Sequence, residues 1–377
     1  MILVDDLQRQ CYGQLFVGMK RSHCSAYHPI YRAARLNAGL VAKQRQGSAY
    51  EEISMKAIVV HEWGGPEVLS TEEVPVPQTG AGEVLVRLKA VGINPAETYM
   101  RSGAYAYLPE LPCILGGDGA GVIEAIGDGV EGVNVGDRVY VASGVGDSFS
   151  GAYAEFMTRP ADDVFALPDS VSYPAGAGIG VPYSTAYYGL FNRGRAREGE
   201  TVFIHGASGA VGTAAIQLAR ARGLTVIGSA GSERGTELVR SQGAHPVDHT
   251  KDGYIDAVKE LTGGEGPDLI LEMLANVNLQ NDLELVRTYG RVVIVGNRGT
   301  IEVNPRTTMM KELDVIGIAL WNCPQDELRA IHVAIIAGLE NGTLAPVIGR
   351  ELPLADAREA HVAILEPGAY GRIVLIP

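Results

Sequence analysis

One stretch of the chain has the residue types and spacing to hold a phosphate: Thr201-Val-Phe-Ile-His-Gly-Ala-Ser-Gly-Ala-Val-Gly212. A strand-like apolar run leads directly into a glycine-rich turn that opens a helix. Glycine has no Cβ, so its backbone can come close to a ligand. A helix start adds free N–H groups and the positive end of a dipole, which together suit a pyrophosphate. Gly209 and Gly212 fit the second and third glycines of the dinucleotide fingerprint G-x-G-x-x-G. Ala207 stands at the first, with Gly206 just before it. The glycines alone are a weak signal. Their setting strengthens it, because a strand precedes them, a helix follows and a second strand starts near Thr225. The competing reading is a purely structural strand–helix turn.

The end of that second strand bears on which dinucleotide is bound. NAD enzymes place an Asp or Glu there, about 20 residues past the glycines, to grip the ribose 2′-OH. Counting from Gly209 reaches Ser229, in the text Ser229-Ala-Gly-Ser-Glu-Arg234. No carboxylate sits at the strand end. Small residues followed by an Arg suit a 2′-phosphate, so NADPH is the expected cofactor. Glu233 is the counter-signal, and it reads equally as a cap for the helix opening near Arg234.

Two kinds of text surround this motif. Residues 55 to about 168 read as β: short β-branched runs at 55–61, 84–93, 121–126, 138–142 and 152–158 alternate with Gly, Pro and Asp turns. Even spacing of this kind predicts a barrel or sandwich, and helix signals are scarce. From about Tyr173 the period changes to strands alternating with helices. Strands are expected at 201–205, 225–229, 246–248, 268–271, 291–295 and 314–317. Helices are expected at 210–222, 234–242, 254–262 and 279–286. Six strands with crossover helices predict a doubly wound parallel sheet. A helix at 327–340 and strands at 349–352 and 372–376 complete the text, and the last strands are expected to rejoin the β region.

The chain has 377 residues, enough for two domains and a tail. At 46% hydrophobic and 20% charged it is globular in composition. A net charge of -13 argues against nonspecific nucleic-acid binding, which needs clustered Lys and Arg. The charge is uneven: residues 1–54 hold seven Lys/Arg against four Asp/Glu, a balance of +3 that leaves -16 for the rest. Met55 reads as a natural start. Residues 1–54 are expected to be a disordered extension or the product of an upstream start codon. A mitochondrial transit peptide is the alternative, with Asp5 and Asp6 against it. Cys11, Cys24, Cys113 and Cys323 form no CxxC pair or zinc spacing. Incidental thiols in a reducing compartment are the plain reading. No apolar run reaches the length of a membrane span.

With these motifs set in order, the chain resembles the medium-chain dehydrogenase/reductase superfamily, and within it the zeta-crystallin-type quinone oxidoreductases. The matching text is GGPEVL at 64–69, GINPAETYMRSGAY at 92–105, GDGAGVIEAIG at 117–127 and GDRVY at 136–140. It continues with HGASGAVG at 205–212, EMLANVNL at 272–279, VGNRGTIEVNPR at 295–306 and PVIG at 346–349. The resemblance spans residues 55–377. It implies a GroES-like β-barrel catalytic domain at 55–175, a Rossmann NADPH-binding domain at 176–320 and a C-terminal part, 321–377, that rejoins the catalytic domain. The active site would lie in the cleft between the domains. In metal-dependent members the ligand positions correspond to Asn94, Gly117 and Val181 here. Catalytic zinc needs three protein ligands, so no metal is expected.

The resemblance further implies reduction of quinones by NADPH, by hydride or one-electron transfer. A quinone accepts electron density on its ring oxygens without a Lewis acid. Candidate catalytic residues are Asn94 as donor to the acceptor oxygen, Tyr99 beside the nicotinamide or acceptor, and Tyr105 at the pocket mouth. The plainer readings are a turn residue before Pro95 and half-buried packing tyrosines. The family pattern places Ser208, Gly209, Ala210 and Val211 at the pyrophosphate. It places Gly231 under the adenosine, with Arg234 as phosphate partner and His249 near the adenosine ribose. Asn278, Val295, Gly296, Asn297, Arg298, Ile318, Ala319 and Leu320 would line the nicotinamide half, with Tyr99. Cys113 falls near the cleft without a neighbour to activate it. The alternatives are NADPH-dependent reduction of alkenal or enone C=C bonds in the same cleft, and a non-enzymatic lens-protein or AU-rich-RNA-binding role. A homodimer or homotetramer in the cytoplasm is the further implication.

Overall fold

The computed structural model describes residues 54–142, 151–368 and 370–377. The expectations for the N-terminal extension lie outside the described residues.

The β region forms two sheets. Ser54–Val60 pairs antiparallel with Leu69–Pro75 and with Cys113–Ile114. Burial along Leu69–Pro75 alternates, so one face of this strand packs and the other is wet. The larger sheet has seven strands and is built around Glu83–Gly92. That strand pairs with Asp118–Ile126 and Phe156–Pro160. Arg138–Ala142 and Val164–Ala166 extend one side. On the other side lies Arg372–Ile376, antiparallel to Glu83–Gly92, and then Ile348–Pro353. The last strand of the chain therefore sits inside the first domain's sheet, second from one edge.

The nucleotide region forms a six-stranded parallel sheet. Its order is His245–Asp248, Thr225–Ala230, Thr201–Ile204, Leu269–Glu272, Arg291–Ile294, Asp314–Gly317. This is the doubly wound sheet expected from the text, joined to a GroES-like β domain. The chain winds outward in both directions from the pair Thr201–Ile204 and Leu269–Glu272. Ligands of such sheets bind in the crevice at the strand C-termini where the order reverses. The helix Ala210–Ala221 packs Ala214, Ala215, Ile216, Leu218 and Ala219 into the core beneath that crevice.

The helix Gln325–Glu340 opens the C-terminal part. It buries Leu328, Ile331, Ile335 and Leu339 in the same core as the sheet residues Val202, Ile204 and Leu271. The same helix also meets the β domain, where His332 Nδ1 lies 3.0 Å from Tyr140 Oη and its ring stacks on Phe165, and the strands after it join that domain's sheet. The helix Pro95–Arg101 was not expected, although its start signal is present. Asn94 caps it, Pro95 opens it, and the Glu97 carboxylate accepts the Asn94 N–H at 2.8 Å. Among the described residues, no helix is long and apolar enough to cross a membrane.

Candidate active site

The glycine turn is shaped by backbone constraints. Gly206 has φ of 57°, a left-handed value that favours glycine. A Cβ on Gly212 would stand 2.4 Å from the Gly206 carbonyl oxygen and 2.5 Å from Ala207 Cα. The turn therefore folds tightly onto the helix. Gly209 is the N-cap, and Thr213 N–H makes a backbone bond back to its carbonyl at 2.8 Å. The N–H groups of Ala210, Val211 and Gly212 precede that bond, where a helix has no internal acceptors. These residues fit a pyrophosphate. The last segment of the chain braces the turn, since Gly371 N–H donates to Ser208 O at 2.7 Å.

Several residues expected around the adenosine come together. A Cβ on Gly231 would lie 2.8 Å from His249 Nε2, so His249 stands directly over this glycine. Burial lowers the His249 pKa from its usual value, with nearby His205 adding to the effect. Ser232, not Glu233, caps the following helix by accepting Gly235 N–H at 3.1 Å. Glu233 takes the first turn, where its charge complements the dipole. Arg234 is exposed and lies over the ring of Tyr370, 3.7 Å from its centroid. Tyr370 is a neighbour that sequence reasoning missed.

The residues expected along the nicotinamide half also converge. Val295 and Gly296 N–H groups donate to Glu272 O at 2.8 and 3.3 Å, and Ala275 N–H donates to Gly296 O. Asn278 Nδ2 donates to Glu272 Oε1 at 3.2 Å. Asn297 bonds within its own turn, to Gly299 O. Arg298 reaches the other domain, its Nε donating to Tyr99 Oη at 3.1 Å. Ile318 N–H continues the ladder onto Ile294 O, and Ala319 and Leu320 lead into a short turn carrying Trp321. Tyr105 and Tyr107 both meet Trp321 edge-on, with centroids 5.4 and 5.8 Å apart. Burial pushes the Tyr105 phenol up to about 12, with Glu97 and Tyr99 adding to it, so it stays a donor. Trp321 was likewise missed, though it directly follows the expected Leu320.

Asn94 requires a correction. Its expected role was donation to the acceptor oxygen, yet both of its amide hydrogens are engaged. Nδ2 donates to Glu97 Oε1 at 3.0 Å and to Asp118 Oδ2 at 3.1 Å. Oδ1 accepts from Arg372 Nη1 at 2.7 Å. Arg372 also pairs with Asp118 through Nη2 at 2.5 Å. The guanidinium reaches both by passing over Gly92, where a Cβ would lie 2.4 Å from Nη2. Asp118 Oδ1 in turn accepts Val181 N–H at 2.9 Å. Glu97 collects four donors: Asn94 N–H and Nδ2, Gly117 N–H and the Tyr153 phenol at 2.6 Å. Asn94 is therefore a buried link between strands.

The family includes zinc-dependent members, and the three corresponding positions do not fit a zinc ion. Asn94 is engaged by its neighbours, Gly117 has no side chain, and Val181 offers no ligand atom. A cationic guanidinium also stands against Asn94. Cys113 is buried and its thiol is pushed up to about 11 by burial, so it is not an activated nucleophile.

Comparison with known proteins identifies the family. Residues 80–169 match the alcohol dehydrogenase GroES-like domain and residues 210–336 the zinc-binding dehydrogenase family. The quinone oxidoreductases of Rattus norvegicus and Homo sapiens are 47% and 46% identical over 325 residues, which is 85% of this chain and 98% of each relative. A Pseudomonas syringae quinone oxidoreductase structure superposes with TM-score 0.76 at 32% identity, covering 86% of this chain and all of that one. A mycobacterial protein solved as a complex with NADPH gives 0.78 at 31%, with the same coverage. The chain belongs to the medium-chain dehydrogenase/reductase superfamily. Within it, the chain is a member of the zeta-crystallin-like quinone oxidoreductase family.

Proposed function

We propose that this chain reduces quinones with NADPH in the cleft between its two domains. The observation that carries the reading is the Arg298–Tyr99 hydrogen bond. It joins the loop after Arg291–Ile294 to the helix Pro95–Arg101, so the nicotinamide end and the acceptor wall meet at one point. Trp321 with Tyr105 and Tyr107 gives that wall an aromatic edge suited to a planar ring. Bound NADPH supplies the reducing equivalents. The protein's part is to hold it on the turn, place a planar acceptor against Tyr99 and keep the Tyr105 phenol available as donor.

NADPH rather than NADH is proposed from Arg234. Its guanidinium lies over the Tyr370 ring in the first turn of the helix that follows the second strand, available to a 2′-phosphate. Turnover of phenanthrenequinone with NADPH, against NADH and against a panel of 2-alkenals, tests both proposals. Comparable rates on alkenals would replace the quinone reading, and preference for NADH would replace the cofactor reading.

A homodimer is proposed from the edge strand Asp314–Gly317. Val315 is 43% exposed there, and Met309 and Met310 nearby are 74% and 73% exposed. An open sheet edge with apolar neighbours invites pairing with a second copy. Sedimentation of the wild type and of Val315→Lys distinguishes dimer from monomer. The cytoplasm is the proposed compartment. Import assays with and without residues 1–54 would reveal a mitochondrial leader.

A further inference from the structure

Three titratable side chains lie at the strand pair where the sheet order reverses, and none has a part in the reaction above. His205 follows Thr201–Ile204, Glu272 ends Leu269–Glu272, and Asp282 lies in the helix Ala275–Leu285. All are buried. His205 Nε2 stands 2.8 Å from Asp282 Oδ1 and 3.2 Å from Glu272 Oε2. That nitrogen carries at most one proton, so it cannot give each carboxylate a full hydrogen bond. Glu272 Oε2 and Asp282 Oδ2 are buried without another hydrogen-bond partner. Two bare carboxylates beside one neutral imidazole are costly in such burial. One proton retained by the pair relieves that cost.

The titration tendencies agree. Burial raises Glu272 to about 7 and Asp282 to about 7. Burial lowers His205, so the imidazole stays neutral. The other titratable groups facing the cluster are the Tyr254 phenol and His249. The His205–Asp282 separation is that of a hydrogen bond. Two ligands of one tetrahedral zinc, with bonds of about 2.0–2.1 Å, stand about 3.3 Å apart.

Glu272 connects this cluster to the cofactor side. Its Oε1 accepts from the Leu274 N–H and from Asn278 Nδ2. Its carbonyl holds the Val295 and Gly296 N–H groups. A single residue therefore anchors both loops that line the nicotinamide half.

We propose that His205, Glu272 and Asp282 form one proton-sharing triad that positions residues 273–278 and 295–298 to receive the cofactor. The inference rests on the cofactor placement proposed above. These are positioning residues, acting through Leu274, Asn278 and the 295–298 turn. Ionised Glu272 is the stronger acceptor for Leu274 N–H, so the triad's protonation sets how firmly the loop is held.

The test uses the full chain with Glu272→Ala and Glu272→Gln. Gln keeps a carbonyl oxygen for Leu274 and Asn278 and gives an N–H to Asp282, but it does not titrate. Glu272→Ala is expected to weaken NADPH binding about tenfold or more, as loss of hydrogen bonds to a charged group does. It should also speed amide exchange at residues 274–278. Glu272→Gln should bind NADPH within about twofold of wild type, by the conservative-rescue logic of mutant comparison. It should also lose the rise in exchange protection that wild type shows as the pair ionises. If Glu272→Ala lowers only Tm, with NADPH affinity and exchange at 274–278 unchanged, the proposal is overturned. If wild type binds no NADPH, the functional reading fails, while the exchange comparison still decides the positioning claim.

Discussion

Each domain buries a polar cluster next to the cleft, and the two balance their charge differently. In the β domain, Glu97 gathers four hydrogen-bond donors and Asp118 is paired with Arg372. In the nucleotide domain, Glu272 and Asp282 share one neutral imidazole. The first cluster is balanced by a fixed guanidinium charge and by dipoles. Burial still raises Glu97 and Asp118, but hydrogen bonds and the Arg372 charge oppose it. The second cluster is balanced by protons, which leave as pH rises. The fixed network should act as structure, and the protonic one as a part that responds to conditions.

The largest effect is expected where a fixed charge is removed. Arg372→Met leaves Asp118 buried and unpaired, at a cost of about 3–5 kcal/mol. Urea unfolding measures the loss. The double variant Arg372→Met/Asp118→Asn should recover at least about 1 kcal/mol of it, because the stranded charge is gone. A double variant no better than the single one would break the contrast between the clusters.

Gly212→Ala comes next. Its Cβ would sit 2.4 Å from the Gly206 carbonyl oxygen, a backbone atom that cannot move without opening the turn. Overpacking of this kind costs about 1–3 kcal/mol. NADPH affinity, measured by fluorescence titration, should fall about tenfold or more, since each 1.4 kcal/mol is a tenfold change. Undiminished binding would remove the turn from the site.

These two cases show what the sequence made legible. The glycine turn was readable because its geometry is local: strand, turn and helix adjoin, and backbone constraints demand glycine at set places. The Arg372 network was not, because the residues it joins lie far apart in the chain. Arg372 meets Asn94 across 278 positions, and nothing near Asn94 signals a guanidinium arriving over Gly92. Asn94 was therefore read as a free donor. The triad has the same character, with His205 and Asp282 separated by 77 positions. Tyr370 against Arg234 is another such pair. The helix Pro95–Arg101 is a different kind of miss. Its cap, Pro95 and Glu97 were in plain text, but the strand-rich surroundings outweighed them.

The protonic cluster makes a pH prediction with a definite sign. Glu272 and Asp282 are raised from ordinary carboxylate values to about 7. A raised acid binds protons more tightly folded than unfolded. Its stabilising contribution is full below the unfolded value, near about 4, and is lost as pH rises through about 7. Glu272→Gln holds no titrating proton there. Thermal melts of both proteins across that window should show the variant gaining on wild type as pH rises. A constant difference would mean that the pair does not titrate as one.

The smallest effect is expected at an exposed cation outside both clusters. Arg234 lies on Tyr370 in contact with solvent, so water screens whatever it binds. Arg234→Ala should therefore leave stability nearly unchanged. It should reduce the ratio of kcat/KM for NADPH over NADH by about three- to tenfold, the scale of a modest charged contact. The change should fall on KM, because a 2′-phosphate is held equally in the ground and transition states. High salt should shrink the difference between wild type and variant, while the penalty of Arg372→Met, set by a pair shielded from solvent, should persist. If salt moves both effects alike, the division between buried fixed charge and exposed charge fails.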